Sequence, residues 1–155
     1  MRWFLLSISH GLVLAAGFAL GIYLLPILTA PPSVERGLLA DAARSAQFET
    51  LFTRDLKGSD FLHWGEGKVS ISPSHIALEG RLSPGPDYKL YLVPTFVDDE
   101  ASFLTVKDRS LRVGDIKTFD GFIIDVPEGT DISAYDTVLV WCEAFGEFIS
   151  AAKYR

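Results

Sequence analysis

The sequence opens with a long run that contains no charged side chain. Residues 3–34 include no Lys, Arg, Asp or Glu, and residues 3–30 are predominantly apolar. As a helix, residues 3–30 reach about 42 Å, which exceeds the roughly 30 Å of a bilayer's hydrocarbon core. The run therefore predicts an N-terminal transmembrane helix, which leaves the rest of the chain to fold outside the bilayer.

A secretory signal peptide is the alternative interpretation of this run. Signal peptides usually carry an apolar stretch of about 7–15 residues and a cleavage site after small residues. The small pair Thr29-Ala30 is followed here by Pro31-Pro32, and proline directly after the scissile bond disfavours cleavage. We therefore interpret residues 1–30 as an uncleaved anchor.

The charges that flank the run predict its orientation. Arg2 and the amino terminus precede it, and the first charge after it is Glu35. Positive charge is retained on the cytoplasmic side of membrane spans. We expect a single-pass protein with a cytoplasmic N-terminus and a periplasmic, or otherwise extracytoplasmic, C-terminal domain.

Small residues recur at every fourth position of the anchor. One row is Ser7, Gly11 and Ala15, and another is Gly17 and Gly21. Such rows let a second helix approach closely, which predicts contact with other subunits of a membrane-protein complex. The alternative is that glycine is simply common in membrane helices.

Charge and cysteine content restrict what the remaining residues can do. Without Arg2 the chain keeps 13 Lys and Arg against 20 Asp and Glu, a formal charge of −7. A surface of this sign repels nucleic acid. The single cysteine, Cys142, excludes an intramolecular disulfide, a Cys-rich zinc site and a CxxCH haem attachment.

The pattern of the chain divides it into three parts. Residues 1–30 are the anchor, residues 31–59 a linker with a helix predicted over 34–52, and residues 60–155 a β domain. Short apolar runs between Gly, Pro and Asp turns predict seven strands, at 67–72, 75–82, 88–94, 112–117, 122–126, 138–142 and 147–154. This spacing is typical of an all-β, antiparallel sandwich or barrel-like fold.

An ordered series of motifs in residues 60–155 resembles the DM13 domain family. The series consists of Gly85-Pro86-Asp87 before Leu90-Tyr91-Leu92, then Val113-Gly114-Asp115-Ile116-Lys117, then Tyr135-x-x-Val138-x-Val140-Trp141-Cys142-x-x-Phe145. The resemblance implies an extracytoplasmic, redox-associated β domain whose cysteine, here Cys142, acts as a thiol or holds a group such as haem. Residues 119–125 depart from the Asn-rich family pattern, which implies a drier site that has lost its ligand.

Cys142 has three interpretations: a buried structural thiol, a redox or ligand thiol, or one half of an interchain bridge. We expect the adjacent Glu143 to raise the thiol pKa, which argues against an activated nucleophile. Ligation of a haem iron stays open, with His63 or His75 opposite. His75 is the poorer candidate because it opens a strand in a Ser-Pro-Ser-His turn.

No catalytic triad or phosphate loop emerges, and Asp98, Asp99, Glu100, Asp120 and Asp125 are interpreted as loop charges. We therefore do not expect an independent enzyme. Two functions remain: a membrane-anchored module of an electron-transfer system that acts through a partner, or a non-catalytic accessory or assembly subunit in which Cys142 is purely structural. The sequence does not identify a cofactor; haem enters only through the family resemblance.

Overall fold

The computed structural model describes residues 1–155 and contains three α-helices and eight β-strands. The helices are α1 (Arg2–Thr29), α2 (Arg36–Arg44) and α3 (Glu100–Leu104). The strands are β1 (Phe48–Phe52), β2 (Gly65–Ile71), β3 (His75–Leu82), β4 (Tyr88–Val93), β5 (Leu111–Ile116), β6 (Phe122–Asp125), β7 (Thr137–Cys142) and β8 (Glu147–Lys153).

The apolar N-terminal run forms α1, which ends just before Pro31-Pro32. Proline lacks a backbone N–H and disfavours the helical conformation of the residue before it, so two successive prolines end α1, although a single proline, Pro26, lies within it. The helix is long and apolar enough to cross a membrane, a property that an N-terminal signal sequence shares.

The strands form two antiparallel sheets of four. One sheet has the order β1-β2-β3-β6, and the other has the order β5-β4-β7-β8. The predicted antiparallel β-sandwich is confirmed. All seven predicted strands are present, with ends displaced by at most two residues.

The main core lies between the two sheets. Alternate residues of each strand point into it, such as Val69 and Ile71 from β2 and Val138, Val140 and Cys142 from β7. The other face of β7 is also covered, because Leu139 and Trp141 pack with Phe103 of α3. Every residue of β4 and of β7 is therefore buried.

The outer face of the first sheet is covered by α2. Leu39 and Ala42 of the helix pack on Ala77 of β3. The domain is thus layered as α2, two sheets and α3, and the predicted short helix after the anchor lies against the sandwich.

The predicted helix over residues 34–52 is too long. It ends at Arg44, and residues 48–52 form β1, which pairs with β2. The residues of β1 alternate in burial, with Phe52 in the core and Glu49 paired to Lys68 at 2.5 Å. Pairing with the edge of β2 therefore outweighs the helix propensity of this segment.

The interpretation of the acidic residues as loop charges is wrong for Glu100, which lies in α3, and for Asp125, which ends β6. Glu100 lies in the first turn of α3, and Asp99 is its N-cap. The Oδ1 atom of Asp99 accepts a hydrogen bond from the Ser102 N–H at 2.7 Å. The sequence prediction missed α3 because five residues are too few to show a helical period.

Candidate functional site

A cavity of about 460 Å³ lies at one end of the sandwich, between the β domain and the C-terminal half of α1. We call it the Cys142 cavity. The residues of the β domain that define it are Leu62, His63, Gly85, Tyr88, Cys142 and Phe145. The cavity therefore brings together Cys142 and His63, two of the candidate residues that the sequence singled out.

Cys142 lies at the end of β7 and is 2% exposed. Its strand partner is Tyr88, the first residue of β4. Burial raises the pKa of the Cys142 thiol, while the backbone N–H groups of Phe145, Asp87 and Ala144 act in the opposite direction. The sulfur is thus a protonated thiol at neutral pH, held among backbone amide groups that favour its thiolate form.

Glu143 does not have the role that the sequence suggested. Its side chain lies on the other side of β7, where it accepts hydrogen bonds from the Tyr91 hydroxyl and, at 2.7 Å, from Lys107 Nζ. The expected direction of the Cys142 pKa is confirmed, but burial is its main cause and Asp87 is the carboxylate that adds to it.

His63 is held by a carboxylate three residues before it. Asp60 Oδ1 accepts the backbone N–H groups of Leu62 and His63, each at 2.7 Å, and Asp60 Oδ2 lies 3.1 Å from His63 Nδ1. Burial acts to raise the pKa of Asp60, but the bonds from His63 and the two N–H groups lower it overall. In the neutral ring with Nδ1–H donated to Asp60, the Nε2 atom of His63 carries the lone pair.

His75 lies outside the cavity. Its Nε2 atom is 3.1 Å from the Ala42 carbonyl oxygen and 3.2 Å from Ser45 Oγ, and its Nδ1 atom is 3.0 Å from Ser74 Oγ. Both ring nitrogens therefore have partners: Nε2 links the end of α2 to the start of β3, and Nδ1 contacts the turn before β3.

The Gly85-Pro86-Asp87 turn forms one wall of the cavity. A Cβ atom at Gly85 would collide with the ring of Tyr88, so only glycine lets the turn lie this close to the ring. The carbonyl oxygen of Asp87 accepts the Glu143 N–H at 3.0 Å. The turn predicted from sequence therefore fixes the end of β7, where Cys142 lies.

Residues 119–125, where the sequence departs from the family pattern, pack beside the same end of the core. Phe119 meets Tyr88 edge to face at 6.0 Å, and Phe122 is buried in the main core. Asp60, Tyr88 and Phe145 were not singled out as site residues, although an Asp three residues before a His is a recognisable local signal for such a pair.

The lining of the cavity fits haem poorly. A thiol and an imidazole are both haem ligands, but the lining contains no Lys or Arg to pair with the two propionates and does contain the carboxylate of Glu147. Burying carboxylates beside another carboxylate is unfavourable. Elsewhere in the chain, no cluster of three or more His, Cys, Asp or Glu side chains is placed to hold a metal ion.

The fold and the cavity define a class of protein: a two-sheet antiparallel β domain with a buried thiol and a carboxylate-oriented imidazole at one end. Residues 52–154 match the family described as electron transfer DM13. The match covers well over half of the sequence, so the chain belongs to the DM13 family, as the motifs predicted. A search of curated proteins and a search of solved structures gave no match.

Proposed function

We propose that this protein is a membrane-anchored, extracytoplasmic electron-transfer module that acts through a partner, with the Cys142 cavity as its working site. One observation carries the proposal: in a domain of an electron-transfer family, the only thiol of the chain and the imidazole of His63 line the same cavity. The charge flanking α1 supports a cytoplasmic N-terminus.

The residues of the site would act in distinct ways. Asp60 orients the His63 ring, so that His63 Nε2 is available to accept a proton. Burial keeps the Cys142 thiol protonated until a base or a bound group takes up its proton. The apolar walls exclude water, which strengthens any hydrogen bond formed inside.

The experiment is to purify the tagged full-length protein in mild detergent and to record reduced-minus-oxidised absorption spectra of what co-elutes. We expect a redox-active partner, such as a cytochrome or an oxidase, at fixed stoichiometry. A solitary, redox-inert protein would contradict a role that depends on a partner.

A second candidate function is that of a non-catalytic accessory or assembly subunit in which Cys142 is purely structural. It is favoured by the open surface of α1: a Cβ atom added at Gly11, Gly17 or Gly21 would meet no other atom within 4 Å, and Ser7 and Ala15 are exposed. Gly17 and Gly21, by contrast, lie on the side that faces Phe145 of the β domain. The row of Ser7, Gly11 and Ala15 is therefore the better candidate for contact with a partner helix.

Substitution within α1 tests this second function. Gly11→Leu should abolish co-purification of the partner, because close approach of two helices requires small residues. Val13→Leu, at an exposed position that is already large, is the matched control. Equal recovery of the partner with both variants would contradict a role for this helix face.

A further inference from the structure

The Cys142 cavity is bordered by α1 as well as by the β domain. The helix contributes Ala19, Leu20, Ile22 and Tyr23 to its wall. Within α1 and the residue that follows it, only Ile22, Pro26 and Ala30 are partly buried. Because these residues are four apart, one face of the helix rests against the end of the β domain that carries the cavity.

The length of α1 indicates how deep this end of the domain lies. Residues 17–29 of α1 border openings shared with the β domain, which leaves residues 2–16 free of it. Those free residues span about 22 Å, about 8 Å less than a hydrocarbon core of roughly 30 Å. For α1 to cross the bilayer as it lies in this structure, the adjoining end of the β domain must lie about 8 Å below the headgroup boundary, within the roughly 5–10 Å that interfacial segments reach.

The surface at this end is suited to such a position. Phe61, Leu62 and Phe145 are 85%, 43% and 54% exposed, and both Leu62 and Phe145 flank the cavity. Exposed aromatic and aliphatic side chains gain free energy when they leave water for the lipid boundary. With α1 in a bilayer, the mouth of the cavity would face the boundary between the headgroups and the acyl chains.

The charge of the cavity lining favours a neutral ligand over an anionic one. Glu147 is the one acidic residue of the lining, and no Lys or Arg accompanies it. A phosphate-bearing lipid headgroup or a haem propionate would meet a carboxylate without a balancing cation. A neutral molecule from the bilayer meets no such penalty.

The polar groups of the lining suit a ring that carries exchangeable oxygens. The lining contains the imidazole of His63, the thiol of Cys142 and the ring of Tyr88, whose buried hydroxyl lies 3.4 Å from Ser83 Oγ. A phenol and a thiol can donate to a carbonyl oxygen, and the unprotonated nitrogen of a neutral imidazole can accept from a hydroxyl. A quinone presents carbonyl oxygens and its quinol presents hydroxyl groups, so one set of side chains can bind both forms.

We propose that the Cys142 cavity binds the head group of an isoprenoid quinone that enters laterally from the bilayer. This inference rests on the proposed electron-transfer function and names the small molecule that, as a quinol, would give two electrons to the redox partner and release two protons. His63, Tyr88 and Cys142 bind the ring, and α1 with Phe145 encloses the start of the tail.

The single cysteine gives a direct test, because any modification of the thiol reports on this cavity alone. The probe is decylubiquinone, whose fully substituted ring resists thiol addition, with the full-length protein in lipid nanodiscs. We expect decylubiquinone to slow modification of Cys142 by a small maleimide at least five-fold, with a saturable concentration dependence. Decanol, which has the tail without the ring, should change the rate less than two-fold.

A matched pair of tyrosine substitutions tests the binding geometry. Tyr88→Phe should raise the quinone concentration for half-protection several-fold, whereas Tyr135→Phe, outside the cavity lining, should leave it unchanged. If the thiol of the folded protein does not react with the maleimide, photo-cross-linking with an azido-ubiquinone replaces the protection assay. We then expect adducts within residues 60–63 or 142–149.

Three results would overturn the proposal: equal protection by decanol, protection by haemin but not by decylubiquinone, or cross-links confined to α1. Each of these leaves the electron-transfer role untouched if a redox partner still co-purifies. Loss of the partner with intact quinone protection would instead refute the proposed function and keep the quinone site.

Discussion

Burial controls the reactivity of the one thiol in this chain. Cys142 is 2% exposed, and burial raises its pKa. Because alkylation requires a reachable thiolate, we expect iodoacetamide at pH 7.5 to modify the folded protein at least about tenfold more slowly than the urea-unfolded protein. Mass spectrometry of timed samples measures both rates, and equal rates would show that the thiol is open to solvent.

Glu143 makes the stability of the domain depend on pH. Burial acts to raise its pKa, but the hydrogen bonds from Lys107 and Tyr91 lower it overall. A carboxylate with a lowered folded-state pKa contributes stability above its unfolded pKa of about 4.3, and this contribution is lost as the pH falls through the folded-state value.

Glu143→Gln should therefore reduce the free energy of unfolding by about 1–3 kcal/mol at pH 7, the usual cost of breaking hydrogen bonds to a charged group. The difference from wild type should shrink as the pH falls below about 4. Urea titrations of both proteins at pH 7, 5 and 3.5 measure this difference in the free energy of unfolding. A difference that does not change with pH would mean that the carboxylate charge is not involved.

For single residues, the sequence indicated which face of a strand a side chain occupies, but not which distant residues it contacts. Strand alternation places Cys142 and Glu143 on opposite sides of β7, yet their adjacency in the chain led to the expectation that Glu143 acts on the thiol. The partners of the two histidines were harder to predict. Asp60 and His63 are close in sequence, but His75 contacts Ala42 of α2 and Ser45, which caps that helix. Contacts between distant segments leave no periodic signal in one sequence.

Two opposed glycines let β2 and β3 approach closely. Gly67 pairs with Gly80 and has a φ of +124°. A Cβ atom at Gly80 would lie 2.7 Å from the Gly67 Cα and would collide with the Glu66 carbonyl oxygen. Neither contact can be relieved by a flexible side chain, because both atoms belong to the backbone.

Gly80→Ala should therefore destabilise the domain by about 2 kcal/mol or more. The control is Gly37→Ala in α2, where an added Cβ meets nothing within 4 Å; it should stabilise by about 0.5–1 kcal/mol because alanine favours the helix. Denaturant unfolding measures both variants. Equal effects would contradict the close approach of the two strands.

The short helix α2 is attached through one face. Leu39 is 4% exposed against Ala77, whereas its neighbour Leu38 is 55% exposed. We expect Leu39→Ala to cost about 2–4 kcal/mol and Leu38→Ala less than about 0.5 kcal/mol. Thermal unfolding of both variants measures the difference, and similar losses would show that α2 does not pack on β3.

The elements that sequence predicted well are those with a strong period or clear turns. The seven predicted strands have both. The region that was predicted wrongly, Phe48–Phe52, contains residues that are acceptable in a helix and becomes β1 because β2 offers it a free edge. Tertiary pairing outweighed local propensity there.

On the scale of the whole molecule, the arrangement joins an apolar helix to one end of a layered β domain. Both faces of the sandwich are covered, by α2 on one side and by α3 on the other. The end that carries Cys142 and His63 is the one next to α1. The sequence predicted the helix and the sandwich separately, but it contained no signal for their contact, and therefore none for the cavity between them.

The rate of electron transfer through the purified full-length complex tests whether the Cys142 cavity takes part in electron transfer. Stopped-flow reduction of the co-purified partner would be compared for wild type, Cys142→Ala and Leu38→Ala, after matching thermal stability has been shown. We expect the rate of electron transfer to be at least tenfold lower for Cys142→Ala and unchanged for Leu38→Ala. A folded Cys142→Ala protein that transfers electrons at the wild-type rate would contradict this expectation.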